Sequence, residues 1–183
     1  MTNRPVVVMG SSVFEQWFNV QDVFPYDTTI NIAVPGSTTR AWKTWLAHRV
    51  LPLNPKTVLF YAGSNDLVLS CPVDDILQRT CQILQTLHAT IPDCRAYYFS
   101  IIRAPQKEPL WDQVNQINQA MQTYATQHHW LEFVDINPVF FDDNGQGNTE
   151  LFIEDQLHLT TAAYGKLLEY TQQQFAKSSP EKS

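Results

Sequence analysis

The chain has 183 residues, of which 44% are hydrophobic and 16% are charged, so it can form one folded domain and is neither disordered nor fibrous. Eighteen acidic against twelve basic residues give a net charge of −6. No basic run offsets that balance, which argues against nucleic acid and anionic membrane surfaces as partners.

Five short runs rich in β-branched and aromatic residues predict buried strands. They cover residues 6–9, 28–33, 57–61, 96–102 and 131–136. The first is a continuous apolar run that ends at Gly10, as expected for a parallel strand covered on both faces.

Amphipathic helices are predicted between and after these strands, over residues 40–50, 73–87, 114–124 and 164–175. Thr160 or Thr161 is the expected cap of the last helix. Strands that alternate with helices predict an α/β fold, a three-layer α/β/α sandwich around a parallel sheet of about five strands. We expect one domain over residues 1–176 and a flexible tail over residues 177–183.

Polar residues follow several of the predicted strands, where ligands bind in a sheet of this kind. These segments are Gly10-Ser11-Ser12, the stretch from Asn31 to Gly36, Gly63-Ser64-Asn65-Asp66, and Asp155-Gln156-Leu157-His158 before the last helix. If the strand order is 2-1-3, a serine hydroxyl, a glycine N–H and an asparagine amide converge at one edge of the sheet.

These four segments, taken in order, resemble the sequence blocks of the SGNH or GDSL-type hydrolases, a family of serine esterases and lipases. The family's Gly-x-Asn-Asp block is present in full at residues 63–66, and its Asp-x-x-His-Leu block at residues 155–159. Its Asn-x-Gly-x-x-Gly block begins at Asn31, with Ala33 at the first glycine position. Each block alone is common by chance, but four in family order across residues 10–160 are specific.

The resemblance implies a flavodoxin-like sheet and a Ser-His-Asp triad. Ser12 is then the nucleophile, His158 its general base, and Asp155 the carboxylate that orients the imidazole. The backbone N–H groups of Ser12 and Gly36 and the side-chain amide of Asn65 form the implied oxyanion hole.

The first block departs from the family pattern, because Ser11 replaces the usual aspartate beside the nucleophile. Ser11 also offers a second hydroxyl, so the choice of Ser12 rests on the register of the motif. Ala33 is acceptable in place of glycine if its φ is negative. Among the aromatic residues near the motifs, Trp17, Trp42 and Phe140 are the candidates for lining a substrate pocket.

The sequence therefore predicts a carboxyl-ester hydrolase that acts through an acyl-enzyme on short-acyl esters, with no metal and no organic cofactor. The expected substrate is a small ester such as an acylated sugar, a lysolipid or a thioester. A non-catalytic protein of the same fold that binds an acylated sugar or lipid is the alternative that Ser11 leaves open. A flavodoxin-like nucleotide- or phosphate-binding module is a third, although no Gly-x-Gly-x-x-Gly or P-loop follows the first strand.

Cysteine content and hydropathy give an expected location. The three cysteines have no C-x-x-C spacing, which indicates neither a disulfide framework nor a zinc site. The apolar run of residues 5–9 is too short for a signal-peptide core or a membrane span. We expect a cytoplasmic protein without stable membrane association.

Overall fold

A central parallel sheet of five strands organises the computed structural model, which describes residues 4–142 and 144–178. The strands are β1 (Val6–Gly10), β2 (Thr29–Asn31), β3 (Thr57–Tyr61), β4 (Arg95–Phe99) and β5 (Leu131–Val134). Their spatial order is β2-β1-β3-β4-β5, and each neighbouring pair is parallel. The first three strands thus have the order 2-1-3, the condition under which the motif segments converge, and the turns after β1, β2 and β3 are neighbours.

Six α-helices accompany the sheet in the described residues. They are α1 (Ser12–Glu15), α2 (Thr39–Trp45), α3 (Ser64–Val68), α4 (Val73–Thr90), α5 (Trp111–Thr126) and α6 (Thr161–Ser178). Thr160 caps α6, since its Oγ1 accepts a hydrogen bond from the Ala163 N–H at 3.2 Å. The helix includes the first two residues of the predicted tail, and residues 179–183 lie outside the described residues.

The two faces of the sheet bury separate apolar layers, because successive strand side chains point to opposite faces. On one face, Val7, Met9, Val58, Phe60, Ala96 and Tyr98 pack with buried residues of α2, α4 and α5. On the other face, Val6, Val8, Leu59, Tyr61 and Phe99 pack with α1, α6 and the segment between β5 and α6. The predicted α/β/α sandwich is therefore confirmed.

The helix predicted over residues 40–50 is present. It is α-helical through Trp45, and residues 46–50 continue it with π-helical hydrogen bonding. The stretch between β5 and α6 contains short 3₁₀ turns at Asn137–Val139 and Thr149–Leu151. It packs on the core through buried Phe140, Leu151 and Phe152.

Candidate active site

A chain of two hydrogen bonds joins Ser12, His158 and Asp155 beyond the carboxyl end of the sheet. The Ser12 Oγ lies 3.0 Å from the His158 Nε2, and the His158 Nδ1 lies 2.6 Å from the Asp155 Oδ2. Residues 146 positions apart in the chain thus meet in an arrangement that lets the hydroxyl donate to one ring nitrogen while the other donates to the carboxylate. This is the geometry of an activated serine nucleophile.

The tight turn from Asp155 to His158 fixes both members of the acid–base pair. The second carboxylate oxygen, Oδ1, accepts the backbone N–H groups of Leu157 and His158, each at 2.9 Å. Hydrogen bonds from the His158 ring and backbone lower the pKa of Asp155 to about 2. The carboxylate is therefore ionised at neutral pH and accepts the ring N–H.

Backbone contacts outside the turn hold it against the body of the protein. Gln156 has a φ of +54°, a left-handed conformation that lets the chain reverse between the acid and the base. Its carbonyl accepts the Gln106 N–H at 3.0 Å, and the Ile153 N–H donates to the His158 carbonyl at 2.8 Å. The His158 side chain is about one-quarter exposed and is thus open to an incoming substrate.

A close approach of two strands sets the position of Ser12. Gly10 ends β1 with a φ of +148°, and a Cβ there would lie 2.3 Å from the Tyr61 carbonyl oxygen of β3. The Ser11 N–H donates to that same oxygen at 3.2 Å, and α1 begins at the next residue. Among the described residues the Ser11 hydroxyl makes no hydrogen bond, so the backbone holds the loop without the family's aspartate.

The predicted oxyanion donors come from the turns after β2 and β3. Gly36 has a φ of +71° and an exposed backbone, a conformation that favours glycine and presents its N–H. The Asn65 Nδ2 donates one N–H to the Ser37 carbonyl at 3.0 Å, which leaves its second N–H for another acceptor. Ala33 is not among the residues with positive φ, so alanine can take the place of the family's glycine here.

A buried carboxylate ties the two donor segments together. Asp66 is 2% exposed, and it accepts hydrogen bonds from the Thr39 N–H at 2.9 Å and the Thr39 hydroxyl at 2.6 Å. The Arg79 guanidinium lies 3.8 Å from the same carboxylate and supplies the compensating charge. The turn carrying Gly36 is thereby held beside the turn carrying Asn65.

The three aromatic residues expected to line a substrate pocket are each at most 1% exposed, and none of them lines the cavity at Ser12. Phe140 borders a separate cavity of about 440 Å³ between β5 and α6. Trp17 packs against Phe99, and Phe140 packs against Phe152 within the apolar layer under α1 and α6. The Trp42 ring nitrogen donates to the Ser37 hydroxyl at 2.9 Å, so this residue supports the oxyanion segment from behind.

Lys107, which none of the motifs indicates, lines the cavity beside Ser12. Ser12, Asn65, Tyr61, Ser64 and Lys107 are among its lining residues, and its volume is about 20 Å³, which is room for about one water molecule. A wider cavity of about 340 Å³ borders the segments that follow Gly36 and Asn65. It is lined by Thr38, Arg40, Asp66, Leu69, Cys71, Pro72, Asp75 and Arg79.

Sequence reasoning misses Lys107 because the surrounding residues, Pro105 to Leu110, form a polar, proline-flanked stretch of the kind found on surfaces. Lysine is rarely buried, so the default expectation for one in such a stretch is exposure. No signal in this single sequence distinguishes it from the exposed lysines.

The chain was compared with known proteins by sequence and by structure. The model of the GDSL-like lipase/acylhydrolase family matches residues 10–166. No curated protein matches the chain significantly. The match to the family model covers all four blocks from Ser12 to His158.

Several solved structures share the fold. A lipase/acylhydrolase from Enterococcus faecalis is 17% identical with a TM-score of 0.78, covering 98% of this chain and 100% of its own. A GDSL-like lipase from Bacteroides thetaiotaomicron is 21% identical with a TM-score of 0.77, covering 97% and 90%. An acetylxylan esterase from Geobacillus stearothermophilus is 13% identical with a TM-score of 0.76, covering 93% of each chain. At these identities the likeness is one of fold.

Proposed function

Because the chain belongs to the GDSL-like lipase/acylhydrolase family, we propose that it is a carboxyl-ester hydrolase that works through a serine acyl-enzyme. The observation that carries the proposal is the continuous contact from the Ser12 hydroxyl through His158 to Asp155. A protein that only binds esters has no need for a serine hydrogen-bonded to an imidazole that a carboxylate orients.

The proposed reaction begins with attack of the Ser12 Oγ on the ester carbonyl carbon while the His158 Nε2 takes the hydroxyl proton. The carbonyl oxygen becomes an oxyanion that receives the backbone N–H groups of Ser12 and Gly36 and the free N–H of Asn65. Collapse of this intermediate breaks the bond to the alcohol oxygen, which takes the proton from His158. Water then attacks the acyl-enzyme by the same route and releases the acid.

The role of Asp155 in this reaction is to hold one tautomer of the imidazole and to stabilise its protonated form. Both functions need a carboxylate that stays charged, which its depressed pKa ensures. Replacement of the family's aspartate by Ser11 leaves this arrangement intact, since His158 contacts Ser12 and Asp155 and the backbone holds the loop.

The natural substrate in this proposal is a small-molecule ester, with acylated sugars, lysolipids and thioesters as the classes to compare. The larger cavity contains four charged side chains, from Arg40, Asp66, Asp75 and Arg79, which suit a polar alcohol group better than a lipid tail. None of the helices that the structure describes is both long and apolar enough to cross a membrane.

The proposal is tested by covalent labelling together with an ester screen. We expect a fluorophosphonate to add once per chain, measured by intact mass, and we expect aryl acetates to be hydrolysed. A chain that takes no label and turns over no ester is a binding protein of this fold, and the proposal is then wrong.

The pH dependence of kcat/KM should show an acid limb that comes from His158. Histidine is the side chain that ordinarily changes charge between pH 5 and 8, and the proton-accepting form is the neutral one. Below that range, each further pH unit should cost about tenfold in rate. Because Asp155 titrates near 2, the limb reports the imidazole and not the carboxylate. The measurement is kcat/KM for an aryl acetate from pH 4 to 9, and a flat profile down to pH 4 contradicts histidine base catalysis.

Acyl-chain length gives a further prediction, which is that acetyl to butyryl esters are the best substrates. A methylene contributes about 0.8 kcal/mol only where apolar wall can bury it. The cavity at Ser12 holds about 20 Å³, the wider cavity is strongly charged, and Trp17, Trp42 and Phe140 are buried away from both.

The measurement is kcat/KM for p-nitrophenyl esters from acetate to palmitate, with and without a lipid interface. We expect a maximum at four carbons or fewer and no interfacial activation. A maximum at octanoate or longer would require an apolar groove that these side chains do not form.

A further inference from the structure

Lys107 is a buried cation without a carboxylate partner. It lies in the 3₁₀ segment Pro105–Leu110 between β4 and α5, and only 4% of its surface is exposed. Its Nζ donates to the Ser64 Oγ at 2.6 Å. Within the described part of the chain it forms no ion pair, so a neutral hydroxyl accepts one of its three N–H bonds.

Lys107 lies beside the candidate nucleophile. Lys107 and Ser12 line the same cavity of about 20 Å³. Asn65, the predicted side-chain donor of the oxyanion hole, lines it as well. A positive charge therefore borders the space in which the reaction would create a negative one.

The hydrogen bond to Ser64 also connects Lys107 to the oxyanion donor through the chain. Ser64 is the first residue of α3, and Asn65 is the next. Gly63 precedes them with a φ of +108°, and a Cβ there would lie 2.9 Å from the Ile101 side chain. The start of α3 is thus packed tightly, and Lys107 holds its first side chain.

On the basis of the proposed ester hydrolysis, we propose that Lys107 is a positioning residue of the oxyanion hole. Its ammonium group holds Ser64 so that Asn65 is correctly placed, and its charge stabilises the oxyanion across the shared cavity. Lys107 keeps its proton throughout, so the covalent steps at Ser12 and the proton transfers at His158 are unchanged.

Electrostatics favour this role because, among the described residues, no carboxylate balances the positive charge of Lys107 before the oxyanion forms. Burial of an unpaired ammonium disfavours the free enzyme, and burial accordingly lowers the pKa of Lys107 to about 8. Attraction between opposite charges is stronger in a poorly hydrated cavity than in water. An anion that appears only in the transition state is then stabilised selectively, which raises kcat.

The central experiment replaces Lys107 with methionine, an unbranched side chain one heavy atom shorter, which removes the charge and keeps most of the volume. The matched control is Lys43→Met, because Lys43 is exposed on α2. On a neutral aryl acetate we expect Lys107→Met to lower kcat about 10- to 100-fold with little change in KM, and Lys43→Met to match the wild type. A boronic acid that forms an anionic tetrahedral adduct on Ser12 should lose affinity by a similar factor, whereas a neutral competitive inhibitor should not.

The pH profile supplies a readout that a purely structural lysine would not change. The wild-type kcat should fall as Lys107 loses its proton above about pH 8, and this alkaline limb should be absent from Lys107→Met. Other titratable groups also lie around the cavity. Burial raises the pKa of the Tyr61 phenol on β3 to about 12. Asp155 is already ionised, and Asp66 on α3 is bonded to Thr39.

Ser64→Ala separates the two parts of the role, because it removes the hydrogen bond and keeps the charge. We expect a smaller loss of kcat in this variant and an alkaline limb that remains.

Lys107→Met should also unfold at a higher temperature than the wild type at pH 7, since it removes an unpaired buried charge. The unfolded lysine keeps its proton to about pH 10.4, so wild-type stability should rise between pH 8 and 10 while that of the variant does not.

Three results would overturn the inference. One is an unchanged kcat in Lys107→Met, or, if that variant fails to fold, an unchanged kcat in Ser64→Ala. Another is an alkaline limb that is the same in Lys107→Met as in the wild type. The third is a loss confined to esters whose acyl group carries a carboxylate, because Lys107 would then bind a substrate anion. Ser12→Ala separates the two proposals: if it is inactive while Lys107→Met equals Lys43→Met, only the inference about Lys107 fails, and if it is fully active, the proposed function fails.

Discussion

Ser12→Ala should lower kcat for any ester on the order of 10⁵- to 10⁶-fold and should abolish labelling by a fluorophosphonate, because no other hydroxyl contacts His158 among the described residues. The change removes one oxygen from a partly buried residue at the first position of α1, whose packing rests on Val13 and Phe14. The fold should therefore persist. The measurements are single-turnover kinetics and the intact mass after labelling.

The matched control is Ser11→Ala, which removes the hydroxyl next to the predicted nucleophile. Ser11 is 3% exposed and precedes α1, but its side chain makes no capping hydrogen bond. We expect this variant to take one label and to keep most of its activity. An inactive Ser11→Ala beside an active Ser12→Ala would show that the register of the motif is wrong.

The five strands were predictable because buried parallel strands have a strong local signature, whereas their spatial order was not. Runs such as Val6 to Val8 are apolar throughout, as strands covered on both faces must be, and Gly10 and Gly63 mark the turns that follow. Those turns carry the motif residues. Once the strand order is 2-1-3, the convergence of Ser12, Gly36 and Asn65 at one sheet edge follows from topology alone.

The burial of the three predicted pocket residues has a physical reason. Trp17 and Trp42 follow motif residues in the chain, but each lies on the buried side of its helix or turn, where a large ring stabilises most by packing. Proximity in sequence does not reveal on which side of an element a ring lies. Phe140 lies in the segment between β5 and α6, which buries it against Phe152.

Lys107 could not be predicted because its burial depends on contacts remote in sequence. Among the described residues, the hydrogen-bond partner of its side chain is Ser64, 43 positions earlier, and the segment that carries Lys107 is typical of a surface turn. A buried lysine conflicts with the local rule that lysines are solvated. Such conflicts are concentrated at functional sites, where a group that disfavours the folded state can favour the transition state.

Asn65→Ala is the remaining variant with a large expected effect, a loss of about 10²- to 10³-fold in kcat with little change in KM. One N–H of the Asn65 amide is bound to the Ser37 carbonyl, which leaves the other free, and Asn65 lines the cavity that Ser12 also lines. The free N–H gains an acceptor of full charge only when the carbonyl oxygen becomes an oxyanion. The loss should therefore fall on kcat and on the affinity for a boronic acid, and not on KM.

Asn115→Ala on α5, at an exposed asparagine, is the control for the same chemical change away from the site. The expected outcome also requires that Asn65→Ala still takes up a fluorophosphonate, although slowly, because Ser12 and His158 remain in contact. The comparison must be made where acylation limits the rate, since a slow product release would hide the effect. If kcat is unchanged under that condition, Asn65 does not donate to the oxyanion. Stabilisation of the negative charge would then rest on the backbone N–H groups of Ser12 and Gly36, together with Lys107.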